Sequence, residues 1–236
     1  MRRCAYRRPW GYAGDCHRTG ILQMPAHGEA RICSEDALDQ LKTMPVLHGD
    51  AFFQGRWKEC VCIASGPSLR AEDCAAVRAW VDRHPDRGVI VVNTTFRLCP
   101  WANVLYAMDH AWWQWHLQEA RARFLGALVA PGRLPGVHHV PVEGVGHSGA
   151  GAVALAARWG AAKIVLLGYD CQKSGGKAHW HEDHPRGLGN AAALPGWPAD
   201  FKRLLPMLSG IQVINATRET ALDVFPRMNL KEVLDT

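Results

Sequence analysis

Short apolar segments that end abruptly in polar or glycine residues are the feature that most restricts the fold of this chain. One such segment covers residues 60–64 and stops at Ser65, and another covers residues 88–92 and stops at Asn93. Each is too short for a buried helix, is almost entirely apolar, and precedes a segment with helical spacing. Strands that are apolar on both faces and alternate with helices are typical of a parallel sheet covered on both sides.

The same alternation continues along the chain. The predicted strands are residues 60–64, 88–93, 104–109, 124–130, 162–168 and 212–215. The predicted helices are residues 34–42, 69–82, 110–123, 148–159, 200–208, 219–224 and 230–234. This order predicts an α/β fold, with a Rossmann-like, mostly parallel sheet and helices on both faces, over residues 56–236. Residues 1–55 lack this periodicity and are predicted to form an irregular, basic N-terminal extension.

Composition narrows the classes of protein to consider. Hydrophobic residues make up 48% of the 236 residues and charged residues 21%, as in ordinary globular proteins. No apolar run approaches the roughly 18 residues of a membrane helix, and no apolar stretch of a signal peptide follows the first charges. We therefore expect a cytoplasmic protein, in a bacterial host if the gene is carried by a phage. The net charge of +5 favours an anionic partner weakly, nucleic acid included.

The eight cysteines are predicted to be thiols. They contain no CxxC pair, and Cys60 and Cys62 alternate along an apolar strand, where cysteine acts as a small hydrophobic residue. A zinc site could also be built from residues before the sheet, but their spacing matches no standard zinc finger. Those residues are Cys4, Cys16, His17 and Cys33.

A glycine-containing turn follows the first long strand of the predicted sheet. In parallel sheets, ligands bind at the carboxyl ends of the strands, and the helix N-terminus attracts phosphate. The segment Ser65-Gly66-Pro67-Ser68 joins this strand to a helix. It is neither a Walker loop nor a GxGxxG motif. A phosphate-binding turn and a plain turn with Ser68 as helix N-cap explain it about equally well.

Polar residues also follow the other strands. Asn93 and Thr94 come after the second strand, where a carboxamide is suited to a ribose or a base edge, or to local backbone groups. Asp109 follows the third strand and could hold a sugar hydroxyl, a metal or a proton, or cap the next helix. Tyr169 and Asp170 follow the fifth strand.

Three further segments could contribute to a site. Residues 146–151 are a second glycine-rich helix start, suited either to leaving N–H groups at a cleft or to tight packing. The long loop of residues 172–196 contains HWHEDH at 179–184, which we interpret as a lid with a general base; a metal site and a solvated loop are the alternatives. Trp112, Trp113 and Trp115 cannot all face one side of a helix, so at least one is expected at a cleft or partner.

Taken in order, these motifs resemble those of the bacterial sialyltransferases of glycosyltransferase family 42. They are also similar to a related group that includes archaeal 6-hydroxymethylpterin diphosphokinase and uncharacterised phage proteins. The motifs are CIASGPSL at 62–69, VNTT at 92–95, MD at 108–109, SGAG at 148–151, LGYD at 167–170, NAT at 215–217 and FPR at 225–227. The likeness covers about residues 58–235, and the order of the set carries its specificity.

The resemblance implies a nucleotide donor, a cytidine monophosphate sugar in the sialyltransferases, and catalysis without metal or other cofactor. It implies a lid histidine as the base, with His184 preferred to His181, and Asp109 as a further catalytic candidate. The residues that it implies for donor binding, with their neighbours, are Ser65, Gly66, Pro67, Ser68, Asn93, Thr94, Asp109, Ser148, Gly149, Tyr169 and Asp170. The chain departs from the sialyltransferases in having no lid tyrosine after Tyr169.

The predicted function is therefore transfer from a nucleotide-activated donor, by a metal-independent inverting glycosyltransferase encoded by a phage or prophage. One alternative is a diphosphokinase that uses ATP with Mg²⁺ held by Asp109, Asp170 and the lid acids. The other is a non-catalytic phage protein that binds nucleotide or nucleic acid. The acceptor does not follow from the sequence.

Overall fold

The computed structural model describes residues 47–184, residue 188 and residues 194–235. The predicted helix at 34–42, the cysteine and histidine set of the alternative zinc site, and most of the predicted N-terminal extension lie outside the described residues. The strands are β1 (Leu47–His48), β2 (Glu59–Ile63), β3 (Arg87–Val92), β4 (Val104–Tyr106), β5 (Ala127–Ala130), β6 (His138–His139), β7 (Lys163–Leu167) and β8 (Gln212–Asn215).

These strands form one parallel sheet in the order β1-β6-β5-β4-β3-β2-β7-β8. The helices are α1 (Ala71–Val81), α2 (His110–Arg123), α3 (Ser148–Arg158), α4 (Trp197–Leu204) and α5 (Leu230–Asp235), with 3₁₀ turns at Asn93–Arg97 and Leu194–Gly196. The α/β, Rossmann-like fold with a parallel sheet is confirmed.

Alternate residues of each central strand pack against different helices. In β2, Cys60 and Cys62 belong to the core under α3 and α4, whereas Val61 and Ile63 belong to the core under α1, α2 and α5. This alternation follows from the two-residue period of a strand. Helices therefore cover both faces, as the uniformly apolar strands predict.

One predicted helix is wrong, and two strands were missed. Residues 219–224 are not helical. There the Thr220 hydroxyl donates to the carbonyl oxygen of Tyr169 at 2.7 Å, and the Asn215 carboxamide donates to the carbonyl oxygen of Leu222 at 3.1 Å. These bonds tie the segment to the ends of β7 and β8 in place of helical bonds. The missed strands, β1 and β6, have two residues each, too few to show a period.

The direction of the chain reverses at β2. From β2 the strands proceed through β3, β4 and β5 to β6, which lies beside the edge strand β1, and the chain then crosses back to place β7 and β8 on the other side of β2. The carboxyl ends of β2 and β7 are therefore neighbours at the point where the connections diverge. Parallel sheets bind their ligands in the crevice at such a point.

The described cysteines are free thiols. Cys60, Cys62, Cys74, Cys99 and Cys171 are all buried and unpaired with one another in disulfides, as the sequence predicts for them. Among the described helices, none is both long and apolar enough to cross a membrane.

Candidate functional site

A cavity of about 330 Å³ opens at the carboxyl ends of the central strands, within the usual size range of small-molecule sites. Most of the residues predicted from sequence line it: Ser65, Gly66, Pro67, Asn93, Asp109, Ser148, Gly149, Tyr169, Asp170 and His184. Of the predicted residues that the structure describes, Ser68, Thr94 and His181 do not line it. Residues from connections distant in sequence thus meet at one place, as the parallel sheet requires.

The turn after β2 uses its own amides. The Gly66 N–H donates to the carbonyl oxygen of Gly168 at 2.8 Å, the Ser68 N–H donates to Asp170 Oδ2 at 2.8 Å, and the Leu69 N–H donates to Gly66 at 3.1 Å. Proline has no N–H to offer. In this conformation the turn therefore presents no unpaired amide to a phosphate at these positions.

Ser68 does not cap a helix, which corrects that prediction. Helix α1 begins at Ala71 with Arg70 as its N-cap, so the helix starts two residues later than the sequence suggests. The Ser68 hydroxyl instead accepts from the Glu219 N–H at 3.3 Å. Ser68 therefore joins the β2 turn to the segment after β8 rather than to the cavity.

Gly66 is needed for close packing between the turns after β2 and β7. A Cβ at this position would lie 1.9 Å from Asp170 Oδ1 and 2.5 Å from the carbonyl oxygen of Gly168. Asp170 is 1% exposed, and Oδ1 has no hydrogen-bond partner. Burial raises the pKa of Asp170 to about 6, although hydrogen bonds from Ser68 act in the opposite direction.

The N-terminus of α3 forms another wall of the cavity. Ser148 and Gly149 are its first two residues and line the cavity; amides at these positions have no acceptor within a helix. The Ser148 Oγ accepts from the Met108 N–H at 3.0 Å, which holds this end against the end of β4. This helix start, and not the β2 turn, has the amides and the dipole suited to an anion.

His147 is the N-cap of α3, and sequence analysis missed it as a cavity residue. Its Nδ1 accepts from the Ala150 N–H at 3.3 Å, and its Nε2 lies 3.7 Å from Asp200 Oδ2. Burial lowers the pKa of His147 to about 4. Because Nδ1 already accepts a hydrogen bond, the neutral ring carries its proton on Nε2 and has no lone pair left for a base. Histidine is outside the usual N-cap residues, so the sequence carried no sign of this role.

Asn93 and Asp109 line the cavity from neighbouring strand ends. Asn93 has φ +51°, and its Oδ1 is buried without a hydrogen-bond partner. A left-handed asparagine with an unpaired acceptor is a feature found at ligand sites. Asp109 is the N-cap of α2 by position, but its carboxylate makes no capping hydrogen bond.

Aromatic residues complete the walls. Trp112 and Trp197 line the cavity, and Trp197 stacks on His147 with ring centroids 4.9 Å apart. Trp115 is 58% exposed. The three tryptophans of α2 therefore do not share one environment, as the sequence analysis predicts. Trp197 was missed because it follows a long loop without periodicity.

Three histidines gather beside the cavity. The potential ligand atoms of His179, His181 and His184 all lie within 4.8 Å of one another, and His179 and His184 line the cavity. Burial lowers the pKa of both His181 and His184 to about 4. The segment is tied to the sheet by Trp180, whose N–H donates to the carbonyl oxygen of Ser65 at 3.1 Å.

The charge of the cavity is unusual for an anion site. Of the described residues that line it, none is Lys or Arg, whereas Asp109 and Asp170 are acidic. Positive potential in these walls comes from helix N-termini, that of α3 and that of α2, whose first turn contributes Ala111 and Trp112 to the lining. A phosphate here would lack the cationic side chains that usually pair with it.

Comparison with protein-family models, with curated proteins and with solved structures gives no match for this chain. The geometry of the cavity is therefore the basis on which a function can be argued.

Proposed function

We propose that this protein is a transferase that binds a nucleotide-activated donor in the cavity, with inverting glycosyl transfer as the reaction. The observation that carries the proposal is the coincidence of three features at one point. The cavity lies where the connections of a parallel sheet diverge, the N-terminus of α3 forms one wall, and the unpaired Oδ1 of Asn93 lies on another.

The wall features support one arrangement of the donor. Its phosphate is best placed at the amides of Ser148 and Gly149, where the helix dipole stabilises negative charge. The carboxamide of Asn93 is suited to a ribose hydroxyl or a base edge. Trp112 and Trp197 supply apolar ring surfaces against which a base can pack. The volume of about 330 Å³ is in the range of sites that bind small molecules.

In the proposed reaction, the acceptor hydroxyl oxygen forms a bond to the anomeric carbon of the donor as the bond from that carbon to the phosphate oxygen breaks. The electron pair of the broken bond leaves with the nucleotide phosphate, and the hydroxyl proton passes to a base. Amides at the N-terminus of α3 stabilise the charge that develops on the leaving phosphate. The assignment of the base to His184 stays a prediction.

The proposal is tested by thermal unfolding of the full chain with CMP, CDP, UDP, GDP or ATP, each with and without Mg²⁺. A ligand at a hundred times its Kd stabilises the folded state by about 2.7 kcal/mol. We expect stabilisation by a cytidine or uridine nucleotide. Stabilisation by ATP only with Mg²⁺ would instead support the diphosphokinase, and no shift with any nucleotide would refute nucleotide binding.

A matched variant makes the test specific to the cavity. Asn93→Gly removes the carboxamide and keeps the positive φ, which glycine adopts without strain. We expect it to reduce the nucleotide-dependent stabilisation while the unliganded melting temperature changes little. Gly132→Ala, at a position where an added Cβ meets nothing within 4 Å, should leave both measurements unchanged.

A further inference from the structure

We propose that His179, His181 and His184 bind a divalent transition-metal ion, Zn²⁺ in the first instance, at the wall of the cavity. The fourth coordination position is left for a ligand oxygen. Metal binding is argued from the histidines alone, whereas contact with a donor phosphate rests on the proposed function. This departs from the metal-independent transfer that the sequence resemblance implies. It also excludes His184 as the general base, because a neutral imidazole that gives its one lone pair to a metal ion cannot take up a proton.

The three imidazoles are close enough to share one ion. Their ring centroids are separated by 4.9 Å, 5.0 Å and 4.9 Å, and their potential ligand atoms lie within 4.8 Å of one another. Nitrogens around a tetrahedral Zn²⁺ at 2.0–2.1 Å are about 3.4 Å apart. Shifts of about 1 Å in the side chains, with rotation of the His179 and His181 rings out of their present stacked arrangement, would therefore close the site.

The hydrogen bonds of two rings leave the required lone pairs. His181 Nδ1 lies 2.6 Å from the carbonyl oxygen of Glu182; a carbonyl only accepts, so Nδ1 carries the proton of the neutral ring. His179 likewise hydrogen-bonds the backbone of Ser65. The Nε2 atoms of both His179 and His181 are buried without a partner, so the bond to Ser65 is made through Nδ1.

This pattern is the one found in metal-ligating histidines. Such a histidine donates its second ring N–H to a backbone carbonyl or carboxylate, which sets the tautomer and the ring orientation. Two buried, unpaired imidazole nitrogens that lie side by side also need a physical explanation, because an unmade hydrogen bond at a buried acceptor is costly. A shared cation satisfies both.

The position of the segment does not depend on the ion. The Trp180 N–H donates to the carbonyl oxygen of Ser65, and the Trp180 indole N–H donates to Thr95 Oγ1 at 3.3 Å. These bonds attach the residue between the first two histidines to the ends of β2 and β3. The chain thus holds the site in place beforehand, which lowers the conformational cost of binding the ion.

The three imidazole ligands indicate which class of ion binds, and the lack of cationic side chains in the described cavity wall indicates what charge the ion would supply. Imidazole nitrogens suit Zn²⁺ and related transition metals, whereas Mg²⁺ takes oxygen ligands. Three protein ligands leave Zn²⁺ one position for water or substrate. Because no described residue lining the cavity is Lys or Arg, a dication at this wall would supply the positive charge that a donor phosphate requires.

The first experiment measures Zn²⁺ binding to the chelator-treated full chain by competition with a chelating dye, without nucleotide. We expect wild type to bind one Zn²⁺ more than His181→Ala, or to bind it more than 100-fold more tightly, since even changes behind the ligands cost 10–100-fold. The exposed His84 provides the control, because His84→Ala should bind as wild type does. Equal stoichiometry and affinity in wild type and His181→Ala would overturn the proposal.

The second experiment identifies the ligand atoms and guards against a misfolded variant. Co²⁺ bound by nitrogen ligands should give visible d–d bands without a thiolate charge-transfer band, and His184→Gln and His181→Ala should both lose them. Metal-free melting temperatures establish that each variant is folded. Thiolate bands that persist in both variants would place the ion at cysteines and overturn the proposal.

The two proposals fail separately. Zn²⁺ binding that is lost in His181→Ala supports the metal site even if no nucleotide binds. The contact between the ion and the donor phosphate is supported if Zn²⁺ raises the affinity of wild type for the nucleotide tenfold or more. Nucleotide affinity that is the same with and without Zn²⁺, and the same in His181→Ala, would overturn that contact while leaving the proposed donor site intact.

Discussion

Two glycine-containing helix starts border the cavity, and they are used in different ways. In the turn after β2, the Gly66 and Ser68 amides donate within the protein, and Asp170 is packed against the glycine. At the start of α3, Ser148 and Gly149 line the cavity with amides that have no helical acceptor. The comparison teaches that glycine at a strand end can serve packing between turns as readily as approach to a ligand.

The cause of the difference is what faces each turn. A buried carboxylate from the end of β7 faces the β2 turn and takes the place that an anion would occupy. Among the described residues, no such carboxylate bonds to the first amides of α3. Its start is fixed by the hydrogen bond from the Met108 N–H to Ser148 Oγ and by the bond from the Ala150 N–H to its N-cap, His147. The largest loss of stability is therefore expected at the β2 turn, and the loss of ligand affinity at the start of α3.

The largest effect is expected for Gly66→Ala. Its Cβ would lie 1.9 Å from Asp170 Oδ1 and 2.5 Å from the backbone of Gly168, so the two turns must separate. We expect a loss of about 3 kcal/mol or more in the free energy of unfolding, measured with denaturant. The control Gly132→Ala should stay within about 0.5 kcal/mol of wild type. A Gly66→Ala protein as stable as wild type would mean that the turns are not packed in this way.

The next effect is pH-dependent and concerns Asp170. Its folded-state pKa of about 6 is raised from 3.8 by burial, so its contribution to stability is complete below about pH 4 and is lost as pH rises through 6. The loss is at most about 3 kcal/mol. Asp170→Asn keeps an acceptor for the Ser68 amide and should remove this pH dependence.

The measurement for Asp170 is the difference between wild-type and variant unfolding free energies from pH 4 to pH 8. We expect wild type to lose stability relative to Asp170→Asn between pH 4 and 6, and the difference to be constant above about pH 7. Gly132→Ala supplies a control, since it changes no titratable group and should show no such step. A flat difference curve for Asp170→Asn would contradict the raised pKa.

A smaller loss of stability is expected for Ser148→Ala. The substitution removes the acceptor for the Met108 N–H, and an amide left unpaired in a partly buried place costs about 1–2 kcal/mol. Urea unfolding measures this loss, and Ser209→Ala, at an exposed position, is the comparison. Equal values for the two variants would show that the hydroxyl does not hold the start of α3.

The smallest change in stability, but the most informative change in binding, is expected for Gly149→Ala. Its Cβ would lie 3.1 Å from His147 Nδ1 and 3.2 Å from the Tyr169 ring; this crowding is partly offset by the helix propensity of alanine. We expect stability within about 1 kcal/mol of wild type. Affinity for the nucleotide found in the thermal panel should fall at least about tenfold, as it would on loss of about 1.4 kcal/mol.

The same titration on Ser68→Ala tests the comparison directly. Ser68 does not line the cavity and its amide donates to Asp170, so nucleotide affinity should change less than threefold. If Ser68→Ala lost more affinity than Gly149→Ala, the phosphate would belong to the β2 turn after all, and the assignment to α3 would be wrong.

Periodicity was enough to place the main elements. The prediction for α2 agrees with the observed bounds, His110–Arg123. The predicted central strands agree with the observed ones to within a residue or two, except that β4 ends three residues earlier and β5 begins three residues later than predicted. These segments are apolar on both faces or have clear helical spacing, so local pattern and tertiary packing favour the same structure. The helix predicted at 219–224 failed because hydrogen bonds to β7 and β8 outweighed local propensity.

The residues of the candidate site were predicted in large part by one geometric rule. Residues that follow the carboxyl ends of parallel strands must meet at one edge of the sheet, and seven of the ten predicted residues that line the cavity follow such an end. His147 was missed because histidine is an uncommon N-cap residue, and Trp197 was missed because it follows a long loop without periodicity. The close approach of the His179, His181 and His184 ring nitrogens was also not predictable, since a loop sequence does not specify the rotamers or tautomers of its side chains.

The sequence by itself determined the class of the sheet and the edge at which the cavity opens, because strand period and chain order can be read along the chain. Only the tertiary structure decided which amides remain available at that edge. The Ser68 amide and the Asp170 carboxylate are 102 residues apart in the chain and 2.8 Å apart in space. Whether a glycine turn is open or filled depends on such contacts, which no local pattern encodes.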